Sequence, residues 1–302
     1  MKVAVTGASG LIGGALIEAL RADGHQVLKL VRRTPRTADE HRWDPQHRRI
    51  DPALLAEVDA VVNLAGEPIR PRPWTKSYKD RLMTSRLDST ATISEGLAVA
   101  SAADPGRRRV LLSASAVGYY GDTGSRLVDE TAPPGTDFLA GLCARWEAAT
   151  APAEDAGVRV VLLRTGLVIG RGAMLMQILG LVFKAGLGGR LGSGQQYWPW
   201  ISLRDEVDAI RYLLTADVSG PVNLAAPTPV TNADFTREFG RVVHRPTFLA
   251  VPRFALSAAL GEFARSSILG GQRADSGKLT GAGFTFTHTT LEQALRTALA
   301  RT

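Results

Sequence analysis

The chain has 302 residues, 45% of them hydrophobic and 22% charged, with one cysteine, five histidines and a formal net charge of +7. That length buries one large core or two smaller ones, and the single Cys143 excludes an internal disulfide framework and fits a reducing cytosol. No apolar run is long enough to cross a bilayer, the N-terminus lacks the signal-peptide pattern, the histidines lack metal-ligand spacing, and the scattered basic residues suit anionic small molecules better than nucleic acid.

In chain order, Lys2 to Thr6 reads as a strand entering the turn Gly7-Ala8-Ser9-Gly10-Leu11-Ile12-Gly13. Leu16, Ile17 and Leu20 then share one helical face. Strand, glycine turn and helix in this order predict a phosphate-binding loop. Gly7 supplies the turn, Gly10 admits a phosphate to the backbone, and Gly13 lets helix and sheet approach. The free N–H groups and positive dipole end of the helix suit a pyrophosphate. Gln26 to Val31 is a second strand, followed by Arg32-Arg33 and no acid. An acid there would bind the 2′-hydroxyl of NAD, whereas Arg32 suits the 2′-phosphate of NADP. The arginines read otherwise as a charged loop.

Trp43-Asp44-Pro45 reads as a turn and Asp51-Pro52 as the start of a short capped helix. Ala60 to Asn63 is a buried strand running into Leu64-Ala65-Gly66-Glu67, small enough at Ala65-Gly66 for a cofactor backbone to lie close. A long helix from about Trp74 carries Lys76, Lys79 and Arg86. These face either a nicotinamide or substrate phosphate, or solvent. Arg107-Arg108-Arg109 reads as a solvated loop, followed by a strand into Ser113 to Gly121. A helix from about Leu139 to Ala156 and the strand Val158 to Leu163 follow.

This alternation predicts an α/β fold, a Rossmann-type doubly wound parallel sheet with a smaller C-terminal substrate domain. Beyond Arg164 glycines crowd in around an apolar helix, Met174 to Phe183. Trp198 and Trp200 read as a lid over a sugar or base, or as anchors of the domain junction. Val222 to Leu224 reads as a strand rejoining the sheet, Asn232 as the cap of a helix to Val243, and Phe254 to Phe263 and Leu291 to Leu299 as helices. The expected division is 1–168 with 202–225 as the nucleotide-binding domain, and 169–201 with 226–302 as the smaller one.

Thr6 to Gly13 and Leu163 to Gly170 resemble the cofactor loop and the strand into the substrate domain of the extended short-chain dehydrogenase/reductase group. Asn63 to Ile69, Ser115 to Gly121, Leu142 to Glu147, Gly188 to Gln196 with Trp200-Ile201, and the Gly261-Glu262, Gln272-Arg273 and Gly283-Phe284 pairs resemble the YfcH-like (SulA-type) sugar epimerase family more closely. The resemblance covers essentially the whole chain. It implies NADP(H) as cofactor and contacts to it from Thr6, Gly7, Ser9, Gly10, Leu11, Ile12, Gly13, Arg32, Leu64, Ala65, Gly66, Glu67 and Arg86. It also implies a nucleotide-sugar-like small molecule as substrate, a cytoplasmic protein, a homodimer through flanking helices, and no metal, nucleic-acid or membrane partner.

The family's usual Tyr-x-x-x-Lys pair is absent. Aligned on Glu147, its positions fall at Leu139 and Cys143, while Ser115 matches the usual serine. In that relay a lysine and the cofactor's positive charge lower a tyrosine pKa that is ordinarily near 10. Here Tyr119 or Tyr120 beside Ser115 is the substitute acid–base candidate, with Arg86 or Arg145 to lower its pKa. Cys143 is either a proton donor or a buried small hydrophobe. The competing expectations are an NADP-dependent epimerase or oxidoreductase with substitute groups, a catalytically inactive NADP(H)-binding regulatory or redox-sensing module, and a structural relic stabilised by cofactor.

Overall fold

The computed structural model describes residues 1–300. Seven parallel strands form one sheet: β1 (Lys2–Thr6), β2 (Gln26–Val31), β3 (Glu40–Arg42), β4 (Ala60–Asn63), β5 (Val110–Ala116), β6 (Arg159–Thr165) and β7 (Gly220–Leu224). Their spatial order is β7-β6-β5-β4-β1-β2-β3, every neighbouring pair parallel. The chain winds outward one way from β1 and then the other way from β4, which opens a crevice at the strand ends between them. The strand that rejoins the sheet is β7, in register with β6 from Gly220↔Val161 to Leu224↔Thr165.

The helices are α1 (Leu11–Ala22), α2 (Pro52–Glu57), α3 (Lys76–Ala103), α4 (Phe138–Ala148), α5 (Ala151–Asp155), α6 (Met174–Lys184), α7 (Leu203–Thr215), α8 (Asn232–Val243), α9 (Arg253–Leu260), α10 (Gly277–Gly281) and α11 (Leu291–Leu299). Both sheet faces are covered, so the strands read as unbroken apolar runs. Val3, Val5, Val62, Leu112 and Leu163 meet Leu16 and Leu20 of α1 and Ile210 and Leu213 of α7. Ala4, Val61, Leu111 and Leu162 face the other way, onto Leu55 of α2 and Ile93 and Leu97 of α3. A separate core joins Met176 and Phe183 of α6 to Phe235 and Phe239 of α8 and Leu295 of α11.

Trp198 and Trp200 are buried in that separate core, their indole N–H groups donating to the carbonyls of Ile268 and Thr228. They anchor the junction and form no lid. The helix expected from Leu139 to Ala156 is two, α4 and α5. Pro152 has no N–H to donate to the carbonyl of Ala148, and its ring disfavours continuation there. Thr231, not Asn232, caps α8 in a reciprocal box with Asp234, while the Asn232 amide oxygen accepts from Leu191 N–H at 2.8 Å. The Phe254 to Phe263 helix ends at Leu260, and a π-helical segment, Ala264–Leu269, follows. Arg109 is buried rather than solvated, its guanidinium donating to the carbonyls of Ala56, Asp104 and Arg107.

A polar chain fixes the switch point. The Thr6 hydroxyl donates to Asn63 Oδ1 at 2.7 Å and accepts from the N–H groups of Leu64 and Ala65 at 2.9 and 3.0 Å. Asn63 Nδ2 and the Trp146 indole N–H both donate to Thr90 Oγ1 at 2.9 Å, tying β4 to α3 and α4. Thr6, Asn63 and Thr90 have no exposed surface. Thr6→Val keeps the shape but strips two buried N–H groups of their acceptor, each at a cost of about 1–3 kcal/mol. A melting-temperature fall of roughly 5 °C or more is expected by circular dichroism; an unchanged melt would contradict this account.

Candidate functional site

The site is built first by backbone. Gly7 sits at φ +66, where a Cβ would lie 2.7 Å from the Leu64 carbonyl oxygen. A Cβ on Gly13 would lie 2.3 Å from the Gly7 carbonyl oxygen. Only glycine fits at both, and together they let β1, β4 and α1 meet. Gly10 precedes α1 without a side-chain cap, and the first turn holds no acid. Its N–H groups are therefore free to meet an anion, and the dipole favours one.

A cavity of about 370 Å³ opens there. It is lined by Gly7 and Gly10–Gly13, by Leu64 after β4, by Ala114–Ala116 of β5, and by Thr165, Gly166 and Val168 at the end of β6. The uncapped first turn of α1 at one end and a serine and a threonine at the other give it the form of a dinucleotide cleft. A larger cavity, about 570 Å³, lies on the flank between α1, α7 and α11, reaches the segment after β6 at Ile169 and Gly170, and shares no lining residue with the first.

Ser115 is the hydroxyl of β5 in this cavity. It donates to Glu147 Oε1 of α4 at 2.6 Å. Arg164 of β6 clamps the same carboxylate from two sides, Nε to Oε1 at 2.9 Å and Nη2 to Oε2 at 2.8 Å. Burial alone would lower the pKa of Arg164, but the paired hydrogen bonds and charge of Glu147 outweigh it and raise the value above the ordinary arginine range. Ser115, Glu147 and Arg164 thus form one hydrogen-bonded unit with its serine on the cavity wall.

The tyrosines lie outside that unit's open side. Tyr120 is not free for the proton transfer expected of it. Its hydroxyl donates to Asn223 Oδ1 at 2.7 Å and accepts from Arg164 Nη1 at 3.0 Å, and burial pushes its pKa up to about 12. Tyr119 stacks its ring under the Arg164 guanidinium, 3.5 Å from centroid to Cζ, and does not line the cavity. Of its two alternatives, Cys143 takes that of the buried small hydrophobe. It is buried in a cluster with Leu82, Leu142 and Trp146, and burial, aided by the nearby Glu147 charge, pushes its thiol up to about 12.

Arg86 lies beneath the β4 turn rather than in the cavity. Its Nη1 donates to the carbonyls of Glu67 and Leu82 at 3.0 and 3.1 Å, and its guanidinium lies over Trp146. Burial pushes its pKa below the ordinary arginine value. The Thr6 side chain likewise points inward, so its role is to hold the Leu64-Ala65 turn. Ser9 is exposed at the loop tip, Leu11 and Ile12 line the cavity, and Gly66 and Glu67 continue the β4 turn outside the lining. Lys79 pairs with Glu262 at 3.0 Å, joining α3 to the C-terminal segment. At the end of β2, Arg33 is clamped by both oxygens of Glu40 at 2.7 Å. Arg32 is exposed and makes no ion pair among the described residues.

Two groups escaped sequence reasoning. Glu147 and Arg164 fall within the segments that carry the family resemblance, but neither is marked there as part of a site. A charged residue closing the apolar run Val160 to Leu163 was the available signal, since a buried strand end seldom carries a charge without a partner.

The family described as "NAD dependent epimerase/dehydratase family" matches residues 3–225, and "Domain of unknown function (DUF1731)" matches 251–298. An epimerase family protein of Mycobacterium tuberculosis is 49% identical over 300 residues, covering 99% of this chain and 98% of the relative. The crystal structure of human epimerase family protein SDR39U1 (isoform 2) with NADPH superposes with a TM-score of 0.86 at 33% identity, covering 99% of both chains. A nucleoside-diphosphate sugar epimerase from Corynebacterium glutamicum gives 0.79 at 35% identity, covering 99% of this chain and 58% of that one.

The buried, neutral Cys143 thiol leads to a direct expectation. Iodoacetamide at pH 8 leaves the folded protein unmodified over hours and alkylates it fully in guanidinium, as read by intact mass. Rapid modification of the folded chain would show that the thiol is open and ionised.

Proposed function

The chain belongs to the NAD dependent epimerase/dehydratase family, as an epimerase-family protein of SDR39U1 type, and from that premise we propose that it is an NADP(H)-dependent epimerase or oxidoreductase acting on a nucleotide-sugar-like hydroxyl through Ser115 and Glu147. The observation that carries the reading is the 2.6 Å hydrogen bond from Ser115 to a carboxylate in the wall of the glycine-loop cavity. We further assign residues 1–168 with 202–225 to the nucleotide-binding domain and 169–201 with 226–302 to the substrate domain, and place the protein in the cytoplasm as a homodimer.

The residues present fit the cofactor. Cβ atoms at Gly7 or Gly13 would overlap neighbouring carbonyls, so glycine there keeps the loop tight, and the uncapped start of α1 suits a pyrophosphate. Gly7, Gly10 and Gly13 with the N–H groups of Leu11 and Ile12 would hold the pyrophosphate. Ser9 at the loop tip, and Leu64, Ala65, Gly66 and Glu67 on the facing turn, would border it. Arg32, exposed and without an ion pair among the described residues, would meet a 2′-phosphate. Thr6 and Arg86 act from beneath, by holding the turn. When bound, NADP(H) supplies a hydride acceptor and donor.

The chain's own part is proton transfer. Ser115 gives its hydrogen to Glu147, which leaves the Oγ lone pairs free for a hydroxyl in the cavity. As a substrate hydroxyl proton moves to Ser115 Oγ, the serine's own proton passes to Glu147 Oε1, while Arg164 holds the carboxylate in place. The reverse transfer returns the proton. Neither tyrosine is needed, consistent with the bonds that tie up the Tyr120 hydroxyl.

A second reading, a non-catalytic NADP(H)-binding module, is favoured by Leu139 and Cys143 at the usual Tyr and Lys positions, both buried. Turnover of a nucleotide-sugar pool by the full chain separates the two. Under the catalytic reading, Ser115→Ala slows turnover by roughly 10²–10⁴ while cofactor binding persists; Glu147→Gln slows it too, and also lowers the melting temperature because it leaves the buried Arg164 without its counter-charge. Cofactor binding without turnover in the unmodified protein supports the second reading. For the cofactor itself, Arg32→Ala should weaken NADPH binding roughly tenfold and leave NADH binding unchanged; equal effects on both would remove Arg32 from the 2′-phosphate role.

A further inference from the structure

Glu206, on α7, is a buried carboxyl that neither the fold nor the proton relay uses. It has no exposed surface, and it makes no ion pair among the described residues. One oxygen, Oε1, lies 2.9 Å from the Thr165 hydroxyl. The other, Oε2, is buried with no hydrogen-bond partner. Thr165 is itself a wall residue of the glycine-loop cavity, at the end where Ser115 stands.

Its surroundings hold no compensating charge. From β6, Arg164 projects to the other sheet face and is taken by Glu147. From the segment after α10, the ring of His288 meets Ser202 at 2.9 Å. On its own helix, Asp205 accepts from the N–H groups of Thr287 and His288 and from Ser202. Asp208 is paired with Arg204 and Arg211. On α1, Glu18 is exposed, Arg21 pairs with Asp39, and Asp23, just past its end, pairs with Arg211. Burial, opposed only by the Thr165 hydrogen bond, pushes the Glu206 carboxyl up to about 8. A carboxylate stranded without a partner in such a place is costly, so the neutral acid is the resting form near pH 7.

The neutral and ionised forms differ at the cavity wall. The Thr165 hydroxyl donates to Glu206 Oε1 at 2.9 Å, with the Leu163 carbonyl as its longer alternative acceptor at 3.4 Å. That bond is stronger to the ionised carboxylate than to the neutral acid. The charge of Glu206 and the polarity of the Thr165 hydroxyl therefore change together.

We propose that Glu206, acting through Thr165, determines which redox state of a nicotinamide cofactor the cavity prefers: its proton leaves when the positively charged oxidised ring binds and stays when the neutral reduced ring binds. This rests on the reading that the cavity takes NADP(H) with its nicotinamide toward Ser115 and Thr165. The proton released goes to solvent, and no other group changes state. A positive charge held at the Thr165 wall favours the carboxylate over the acid, by roughly tenfold in an effective dielectric near 20. The same factor appears, by linkage, in the affinity for the oxidised cofactor. NADP⁺ therefore gains on NADPH as pH rises toward the resting carboxyl's titration and levels off above it. Both forms carry the same phosphates, so their ratio cancels any titration of those groups.

The test is isothermal titration calorimetry of the full chain with NADP⁺ and with NADPH across about pH 6.5–8.5, in buffers of differing ionisation enthalpy. The NADP⁺-to-NADPH affinity ratio should rise roughly tenfold over that range, with protons released on NADP⁺ binding only. Glu206→Gln and Glu206→Leu, whose folding is checked by melting, should give a flat ratio and no such release. The leucine variant covers the case in which the glutamine variant does not fold. A flat ratio in the unmodified protein, or the same slope in either folded variant, overturns the coupling but leaves the cofactor reading standing. Failure of the unmodified protein to bind either form overturns that reading and this proposal with it.

Discussion

Three backbones meet at one point, and the rest of the molecule is arranged around that contact. The Gly7 carbonyl lies where a side chain on residue 13 would start, and the Leu64 carbonyl lies where a side chain on residue 7 would start. Any Cβ at either glycine would have to displace main chain, which has no flexible end to move. The contact brings the first turn of α1 against the ends of β1 and β4, so the helix N-terminus opens into the crevice. Thr6, Asn63 and Thr90 hold it from below with buried hydrogen bonds. The cavity is therefore a property of backbone geometry, and its side chains choose only what binds in it.

The chemistry at the far end follows from the pleat of one strand. Successive residues of β6 point to opposite faces of the sheet. Arg164 projects toward α4 and meets Glu147. Thr165 projects toward α7 and meets Glu206. Two carboxyls, one on each side, thus reach the same cavity through a hydroxyl each, Ser115 and Thr165. Their environments are opposite. Glu147 has a bidentate guanidinium, so its charge is compensated where it sits. Glu206 has only a neutral hydroxyl, and burial favours its proton. Removing one partner of a buried pair costs about 3–5 kcal/mol, because it strands the other charge. Arg164 and Glu147 therefore act as a unit, and the tyrosines packed on Arg164 belong to that unit as structure.

The second lobe is held by aromatic packing. Phe183 lies 4.5 Å from Phe239 and Trp198 5.2 Å from Phe235, centroid to centroid, with Trp200 buried beside them. The lobe is tied to the sheet by Lys79 and Glu262 and by the pairing of Trp200–Ser202 with Leu167–Ile169.

The sequence by itself determined the sheet, its glycine loop and the positions of most helices. Those features depend on local rules: apolar runs of strand length, helical periodicity, and glycine where a chain must turn or approach closely. It also pointed to Arg32 by its place after the second strand, and to Ser115 by its match to the family's serine. Only the tertiary structure decided which polar groups are free. Arg33 is taken by Glu40 while Arg32 is not, Tyr120 is taken by Asn223 and Arg164, and Cys143 is sealed among apolar side chains. Glu147 and Glu206 were legible as letters, 59 positions apart, with nothing nearby to mark them. Their difference in charge comes from partners far away in the chain, and a group's pKa depends on what surrounds it in space. Local spacing carries the fold; burial and long-range pairing assign the chemistry.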